Sequence, residues 1–422
     1  MNVVLKSPAY ASTVAAPTSK SVAHRALIAA AFAERETVIP MRVSCEDIDA
    51  TARCLSALGV GITKTARGLT VTPISRESIN KNAVLDCGES GSTLRFLLPV
   101  CAALGADATF LRRGRLPQRP LSPLDEELKR HGLVLLEQDE KLITHGKISA
   151  GEYSIAANVS SQYITGLLFA LSLLDAPSTL TLTGKVESAP YIDMTTDMLS
   201  RFAAPPTVCG SHAAFWVAGY QAQPLLSPRE IVPEGDFSGA AFPLALGAIG
   251  AHAVTVTGLS LPSLQGDSAI LDLLARFGAK VTQTLDTVTV SPAPLFGIDI
   301  DAAQIPDLVP ILAVVAAAAS GTTRITGAKR LRLKESDRLA AITAFLRTLG
   351  GDITENEDGL TVVGGKPLHG GTVNTCGDHR IAMSAAAAAL LTEEAVTIPH
   401  AECVQKSYPT FFDEVVLATD KE

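Results

Sequence analysis

The sequence predicts an α/β protein of two lobes, each an inside-out barrel of three β-α-β-α-β-β units with helices inside and sheets outside. Three observations carry this. Six short polar turns each launch an apolar run, and between Lys20, Gly91, Gln162, Asp236, Asp307 and Asp378 the steps are 71, 71, 74, 71 and 71 residues. So regular a period marks one supersecondary unit copied six times. The runs 21–33, 92–104, 163–174, 239–251, 308–319 and 380–391 are apolar on nearly every face and rich in alanine, as helices buried in an interior are. Finally, 422 residues exceed one ordinary core, so two domains are expected.

Within each unit a second, amphipathic helix should follow, stopping at glycine before paired strands. Leu55–Gly59 precedes a hairpin at 60–73, and Leu128–Gly132 one at 133–145; Leu274–Gly278 and Leu346–Gly350 repeat the pattern. Glycine just past the last apolar position is a helix stop, and Glu357-Asp358-Gly359 suits a hairpin turn. The sixth unit lacks its hairpin and ends in a predicted helix over 409–418. The strand expected at 2–6 is placed to complete that unit. The Pro-rich stretch 220–235 reads as a linker, and 14–18 as a second crossing. The expected domains are 1–17 plus 234–422, holding both termini, and 18–233, with the active site in the cleft between them.

Composition narrows the class. A formal charge of −8 argues against a nucleic-acid-binding surface. Seven scattered cysteines without a C-x-x-C pair argue against a disulfide framework or a metal site, and favour a reducing, cytoplasmic setting. Neither a leader segment nor an apolar run of the ~20 residues that a membrane span needs is apparent.

The helix starts are where chemistry is expected. A helix N-terminus offers unpaired N–H groups and partial positive charge, so it binds anions. Six in register, several beside Lys or Arg, suit a ligand with several phosphates and carboxylates. For any single turn, an ordinary cap by Ser or Asp is the simpler explanation.

The residues at these turns resemble one family closely. Lys20-Ser21-x-x-His24-Arg25, Leu116-Pro117-Gln118-Arg119-Pro120-Leu121 and Val159-Ser160-Ser161-Gln162-Tyr163 are similar to signatures of 5-enolpyruvylshikimate-3-phosphate synthases. So are Leu333-Lys334-Glu335-Ser336-Asp337-Arg338, Gly377-Asp378-His379-Arg380 and Cys403-x-x-Lys406-x-x-Pro409, in the right order over essentially the whole chain. The resemblance implies transfer of the enolpyruvyl group of phosphoenolpyruvate to the 5-hydroxyl of shikimate 3-phosphate, with release of phosphate, through a tetrahedral intermediate. It implies a monomer that uses no metal or cofactor, and a target of glyphosate.

It also implies roles. Asp307 becomes the base, and Glu335 the proton shuttle to the methylene carbon, shared with Lys20. Shikimate 3-phosphate is expected on Lys20, Ser21, Arg25, Ser160, Ser161, Gln162, Ser188, Tyr191, Asp307 and Lys334. Phosphoenolpyruvate is expected on Lys20, Gly91, Arg119, Gln162, Arg338, His379, Arg380 and Lys406. Three residues depart from the common family pattern. Glu89 stands where Asn is frequent, Ala189 where a basic residue is, and Arg330 where Asn is; all three bear on glyphosate sensitivity rather than on the acid or base. Two rival readings are a UDP-N-acetylglucosamine enolpyruvyl transferase and a non-catalytic six-repeat clamp. The first uses a cysteine in the loop matching 112–121, which has none here. The second would spread its cations along an inner surface rather than focus them at helix starts.

Overall fold

The computed structural model describes residues 1–418 and 420–421. The chain divides into two compact units, Met1–Pro17 with Glu234–Glu422, and Thr18–Pro233. Each has its own hydrophobic core.

In unit 18–233 the core is crossed by helices Lys20–Ala31, Gly91–Leu104 and Ser161–Ser172. In the other unit the same position is taken by helices Phe237–Ile249, Val309–Ala318 and His379–Ala388. Small residues let these helices come together. A Cβ on Gly166 would lie 2.3 Å from the carbonyl oxygen of Arg95 on the neighbouring helix. Amphipathic helices Glu46–Ala57, Leu124–Arg130, Ala189–Arg201, Ile270–Phe277 and Arg338–Thr348 alternate with them. Gly278, at φ +116°, ends one of these by donating its N–H to Ala275.

The sheets repeat one topology. Strand Val84–Asp86 runs parallel to Thr109–Leu111, which pairs antiparallel with Lys141–His145, and that with Val134–Gln138. The same order, one parallel pairing followed by two antiparallel ones, governs Glu152–Ala156 through Thr207–Cys209 and Asp299–Asp301 through Asp352–Asn356. In the remaining sheets the chain borrows the missing strand from far away. Thr13–Ala15 supplies the parallel partner of Val254–Thr257. A single bridge from Glu230 to Val38 does so for the first sheet. Val3–Leu5 lies antiparallel to Val396–Ile398 and completes the sixth.

One predicted element is corrected. Over 409–418 there is no α-helix: a single π turn, Phe411–Val415, leads into strand Val416–Leu417, which pairs with Ala9–Tyr10. Tyr408, Phe411 and Phe412 stack edge to face in the core. Burying three adjacent rings and two valines outweighs helical propensity over so short a stretch.

Among the described residues, no helix is long and apolar enough to cross a membrane, and no group of three or more His, Cys, Asp or Glu side chains is arranged to hold a metal ion.

Candidate active site

In unit 18–233 the three core helices begin with serine caps. Ser19, Ser90 and Ser160 accept from the backbone N–H groups of Val22, Thr93 and Gln162 at 3.4, 3.3 and 3.3 Å. A serine cap satisfies one N–H while leaving the positive end of the helix uncompensated. Beside these caps lie the residues expected to bind substrate. The Lys20 ammonium donates to Asp47 Oδ2 at 2.8 Å, in a largely buried pair. Gly91 opens its helix where a Cβ would stand 2.8 Å from Nη1 of Arg119, so glycine here lets that guanidinium lie against the helix start. Gln162 is oriented from both ends: Oε1 accepts from Arg95 at 2.7 Å and Nε2 donates to Ser92 at 2.9 Å. Ser161 follows the Ser160 cap and is buried.

Arg25 lies deeper than a surface cation would. It donates to the hydroxyls of Thr195 and Thr165 and to the carbonyls of Ser21 and Tyr191 at 2.7–3.1 Å, and its guanidinium stacks over Phe96. Four of its five N–H groups thus serve the fold. Ser188 holds the left-handed conformation, φ +56°, at the start of helix Ala189–Arg201. Next to Arg25, His24 is structural. Its Nδ1 bonds Thr51 at 2.7 Å, and a hydroxyl chain runs on through Thr93 to Ser90. Burial, only partly opposed by Asp47, lowers the imidazole to about 3, so it is neutral.

The other unit is built differently. Asp236 and Asp378 cap their helices with carboxylates. Asp307 stands at the equivalent place but caps nothing. The residue three places on is Pro310, which has no N–H to offer. The Asp307 carboxylate turns instead to cations: Arg338 Nη1 at 2.7 Å, Arg380 Nη2 at 3.2 Å and Lys334 Nζ at 3.6 Å. The simpler reading of Asp307 as an N-cap is therefore incorrect. Burial opposes its charge, yet Arg380, Lys334 and Arg338 outweigh burial and hold the carboxyl well below the ordinary range. Burial likewise lowers Lys334 to about 8.

Arg338, 1% exposed, is the hub. Besides Asp307 it reaches Glu335 Oε2 at 2.8 Å and, through Nε, Asp378 Oδ2 at 2.8 Å. Asp378, fully buried, also accepts from Ser336 at 3.0 Å and from the Arg380 backbone at 3.0 Å. One carboxylate thus ties the turn that bears Arg380 to the segment that bears Lys334, Glu335 and Arg338. His379 Nδ1 lies 3.7 Å from Asp378. Lys406 is buried at the end of the 3-10 helix Ala401–Lys406. Asp337 caps helix Arg338–Thr348 and pairs with Arg332 at 3.1 Å, a local role.

Of the expected residues, then, Asp307, Lys334, Glu335, Arg338 and Arg380 share one network in one unit, while Lys20, Ser21, Arg25, Gly91, Arg119, Ser160, Ser161, Gln162, Ser188 and Tyr191 belong to the other. Sequence reasoning missed Asp47, Arg95, Ser336 and the bridging role of Asp378. Asp378 carried a signal in its place in the 71-residue register, and Ser336 in its place within the Leu333–Arg338 motif. Of the three departures, Glu89 packs its carboxyl on Gly114, where a Cβ would lie 1.6 Å away. Arg330 donates to the Ala303 carbonyl at 2.8 Å.

Repeated α/β units whose buried helices start beside clustered Lys, Arg and carboxylates suit anionic ligands. Comparison with known proteins makes the class specific. The family model of EPSP synthase (3-phosphoshikimate 1-carboxyvinyltransferase) matches residues 5–415. The 3-phosphoshikimate 1-carboxyvinyltransferase of Clostridium kluyveri is 41% identical over 403 residues, covering 94% of this chain and 92% of that protein. That of Clostridium acetobutylicum is 39% identical over 404 residues, covering 94% and 93%. An EPSP synthase structure from Acinetobacter baumannii superposes with a TM-score of 0.80 at 25% identity, covering 98% of this chain and 96% of that one. The enolpyruvyl transferase NikO from Streptomyces tendae shares the fold, with a TM-score of 0.79 at 18% identity, covering 98% and 96%. The chain belongs to the EPSP synthase family, transferases of the shikimate pathway. That membership decides against the UDP-sugar and clamp readings.

Proposed function

We propose that the chain transfers the carboxyvinyl group of phosphoenolpyruvate to the 5-hydroxyl of shikimate 3-phosphate and releases phosphate, with Asp307 as base and Glu335 as proton shuttle. The observation that carries this is the Asp307 carboxylate, freed from capping and held by three cations. In the addition step the 5-hydroxyl oxygen attacks C2 of phosphoenolpyruvate, its proton passes to Asp307, and Glu335 protonates C3. In the elimination step the C2–O bond to phosphate breaks, the departing phosphate takes up the proton held by Asp307, and Glu335, with Lys20, takes back a proton from the C3 methyl.

A carboxyl held below its ordinary range is a weak base. The substrates supply the remedy. Their phosphates and carboxylates compete for Arg338, Arg380 and Lys334, and each cation drawn toward them returns proton affinity to Asp307. Arginine suits this exchange because its fork grips phosphate and carboxylate alike. Phosphoenolpyruvate draws on Lys20, Gly91, Arg119, Gln162, Arg338, His379, Arg380 and Lys406. Shikimate 3-phosphate draws on Lys20, Ser21, Arg25, Ser160, Ser161, Gln162, Ser188, Tyr191, Asp307 and Lys334.

We read each unit as three repeats closed around their buried helices with sheets outside; the shared strand order and the burial of the six helices support it. We read the protein as a cytoplasmic monomer, a state that sedimentation tests. The test of function is phosphate release on mixing both substrates. Asp307→Asn is expected to lower kcat by roughly 10²- to 10⁴-fold with the fold intact, and wild-type rates in that variant would overturn the assignment.

A further inference from the structure

One buried carboxyl beside this network has no part in the reaction as described. Helix Phe237–Ile249 starts at the Asp236 cap, which accepts from Ser238 and Gly239 at 2.8 and 3.3 Å. The 3-10 turn Gly266–Ala269 is clamped against that start. The Phe237 N–H donates to Gln265 Oε1 at 3.0 Å, and Gln265 Nε2 donates to the Gly235 carbonyl at 2.8 Å. The clamp brings Asp267 to Ser238, whose hydroxyl donates to Oδ2. Asp267 is 1% exposed, and its Oδ1 has no hydrogen-bond partner among the described residues.

Such an oxygen is costly to bury charged. Helix Phe237–Ile249 packs against the 3-10 turn Gly266–Ala269, the turn Pro306–Leu308 and helix His379–Ala388, which brings Asp307 and Arg380, besides Asp236 and Ser238, to act on Asp267. Asp272 and Arg276, on the helix that continues from the 3-10 turn, pair with each other on an exposed face. Burial and then Asp307 raise the Asp267 carboxyl to about 7, against the pull of Arg380 and Ser238. The two carboxyls divide the work by environment. Asp307, gripped by three cations, carries the charge, and Asp267, with one hydroxyl donor, carries the proton.

We propose that Asp267 is a positioning residue for the carboxyvinyl transfer: its carboxyl, by gaining or losing charge beside Asp307 and Arg380, sets how strongly Asp307 takes up a proton. When Asp267 ionises, its field opposes the charge on Asp307 and draws on the same Arg380, so the base strengthens. When it is protonated, the base weakens. This rests on Asp307 being the base, and it adds the group that tunes it.

The test is kcat and both Michaelis constants for phosphate release between about pH 5.5 and 9, for the wild type, Asp267→Asn and Ser238→Ala. The wild-type kcat should rise through an ionisation near 7. Asp267→Asn should lose that ionisation, and its kcat on the alkaline side should fall by about 3- to 10-fold with both Michaelis constants unchanged. Ser238→Ala, which removes the donor favouring the charged form, should move the midpoint upward, and it carries the test if Asp267→Asn fails to fold. Normal release by wild type with an unmoved midpoint in the variants overturns this proposal alone. So does a uniform loss of rate at every pH accompanied by raised Michaelis constants, which marks a merely structural role. No release by the wild type overturns the functional reading and this proposal together.

Discussion

The two units repeat one topology yet solve the helix start in opposite ways. In residues 18–233 the core helices are capped by serines; in the other unit, by Asp236 and Asp378, with Asp307 at the third start. A neutral cap leaves the helix dipole free for an incoming anion. A carboxylate cap spends that dipole inside the protein, and the unit must then bring in Arg338, Arg380 and Lys334. The first arrangement is a receptor for negative charge. The second is a set of buried charges in which carboxylates and cations offset one another. Neutral and charged helix starts are thus parted along the repeat.

The largest effect should come from breaking that balance. Arg338→Met leaves Asp378 buried and uncompensated, and should cost about 3–5 kcal/mol in urea unfolding and abolish phosphate release. Lys20→Met, which breaks the pair with Asp47, should cost clearly less stability. Equal losses would show that the two units are not built differently after all.

Acid titration comes next. His24 lies at about 3 in the fold against about 6.5 in the unfolded chain. The unfolded chain therefore binds the proton first, and stability falls as pH drops from about 6.5 toward 3. His24→Gln should flatten this slope. Asp307 and Asp378 have lowered folded values, so their contribution is present above about 3.9 and is lost only below it. A slope unchanged in His24→Gln would break the assignment.

Gly91→Ala tests the receptor side. The added Cβ meets the Arg119 guanidinium, the far end of a flexible chain, so the fold should hold while the Michaelis constant for phosphoenolpyruvate rises roughly tenfold, the order of one weakened charge-assisted contact. The smallest effect is expected of Ser160→Asp, which installs the other unit's cap. Helix stability should stay within about 0.5 kcal/mol, and the Michaelis constant for shikimate 3-phosphate should rise by about 3-fold, in line with a fraction of a kcal/mol at a helix end.

Much of this was legible in the sequence because it is local or periodic. The 71-residue register, the alanine-rich core helices and the glycine stops are all written at fixed spacing. That Asp307 caps nothing was not: Pro310 lacks an N–H, but Val309 keeps one that a cap could have used. Nor were the partners legible. Asp47 beneath Lys20, Arg95 on Gln162 and Asp378 on Arg338 meet across 27, 67 and 40 residues. Which carboxylate reaches which cation there is decided by packing, not by spacing. Asp267 was hidden for the same reason. The tail over 409–418 misled because its apolar spacing suits a helix, while Phe411 and Phe412, clustered with Tyr408, are satisfied by the core instead.

The borrowed strands have a consequence for how the protein is made. Residues 18–233 form one unbroken stretch and hold every strand of their own sheets, so that unit has all its parts once about half the chain has been synthesised. The other unit cannot close then. Its strand Val3–Leu5 pairs with Val396–Ile398, which is translated about 390 residues later. At 5–20 residues per second that edge waits on the order of 20–80 s. Pulse-labelled ribosome-bound chains should therefore show residues 18–233 protected from protease well before residues 1–17.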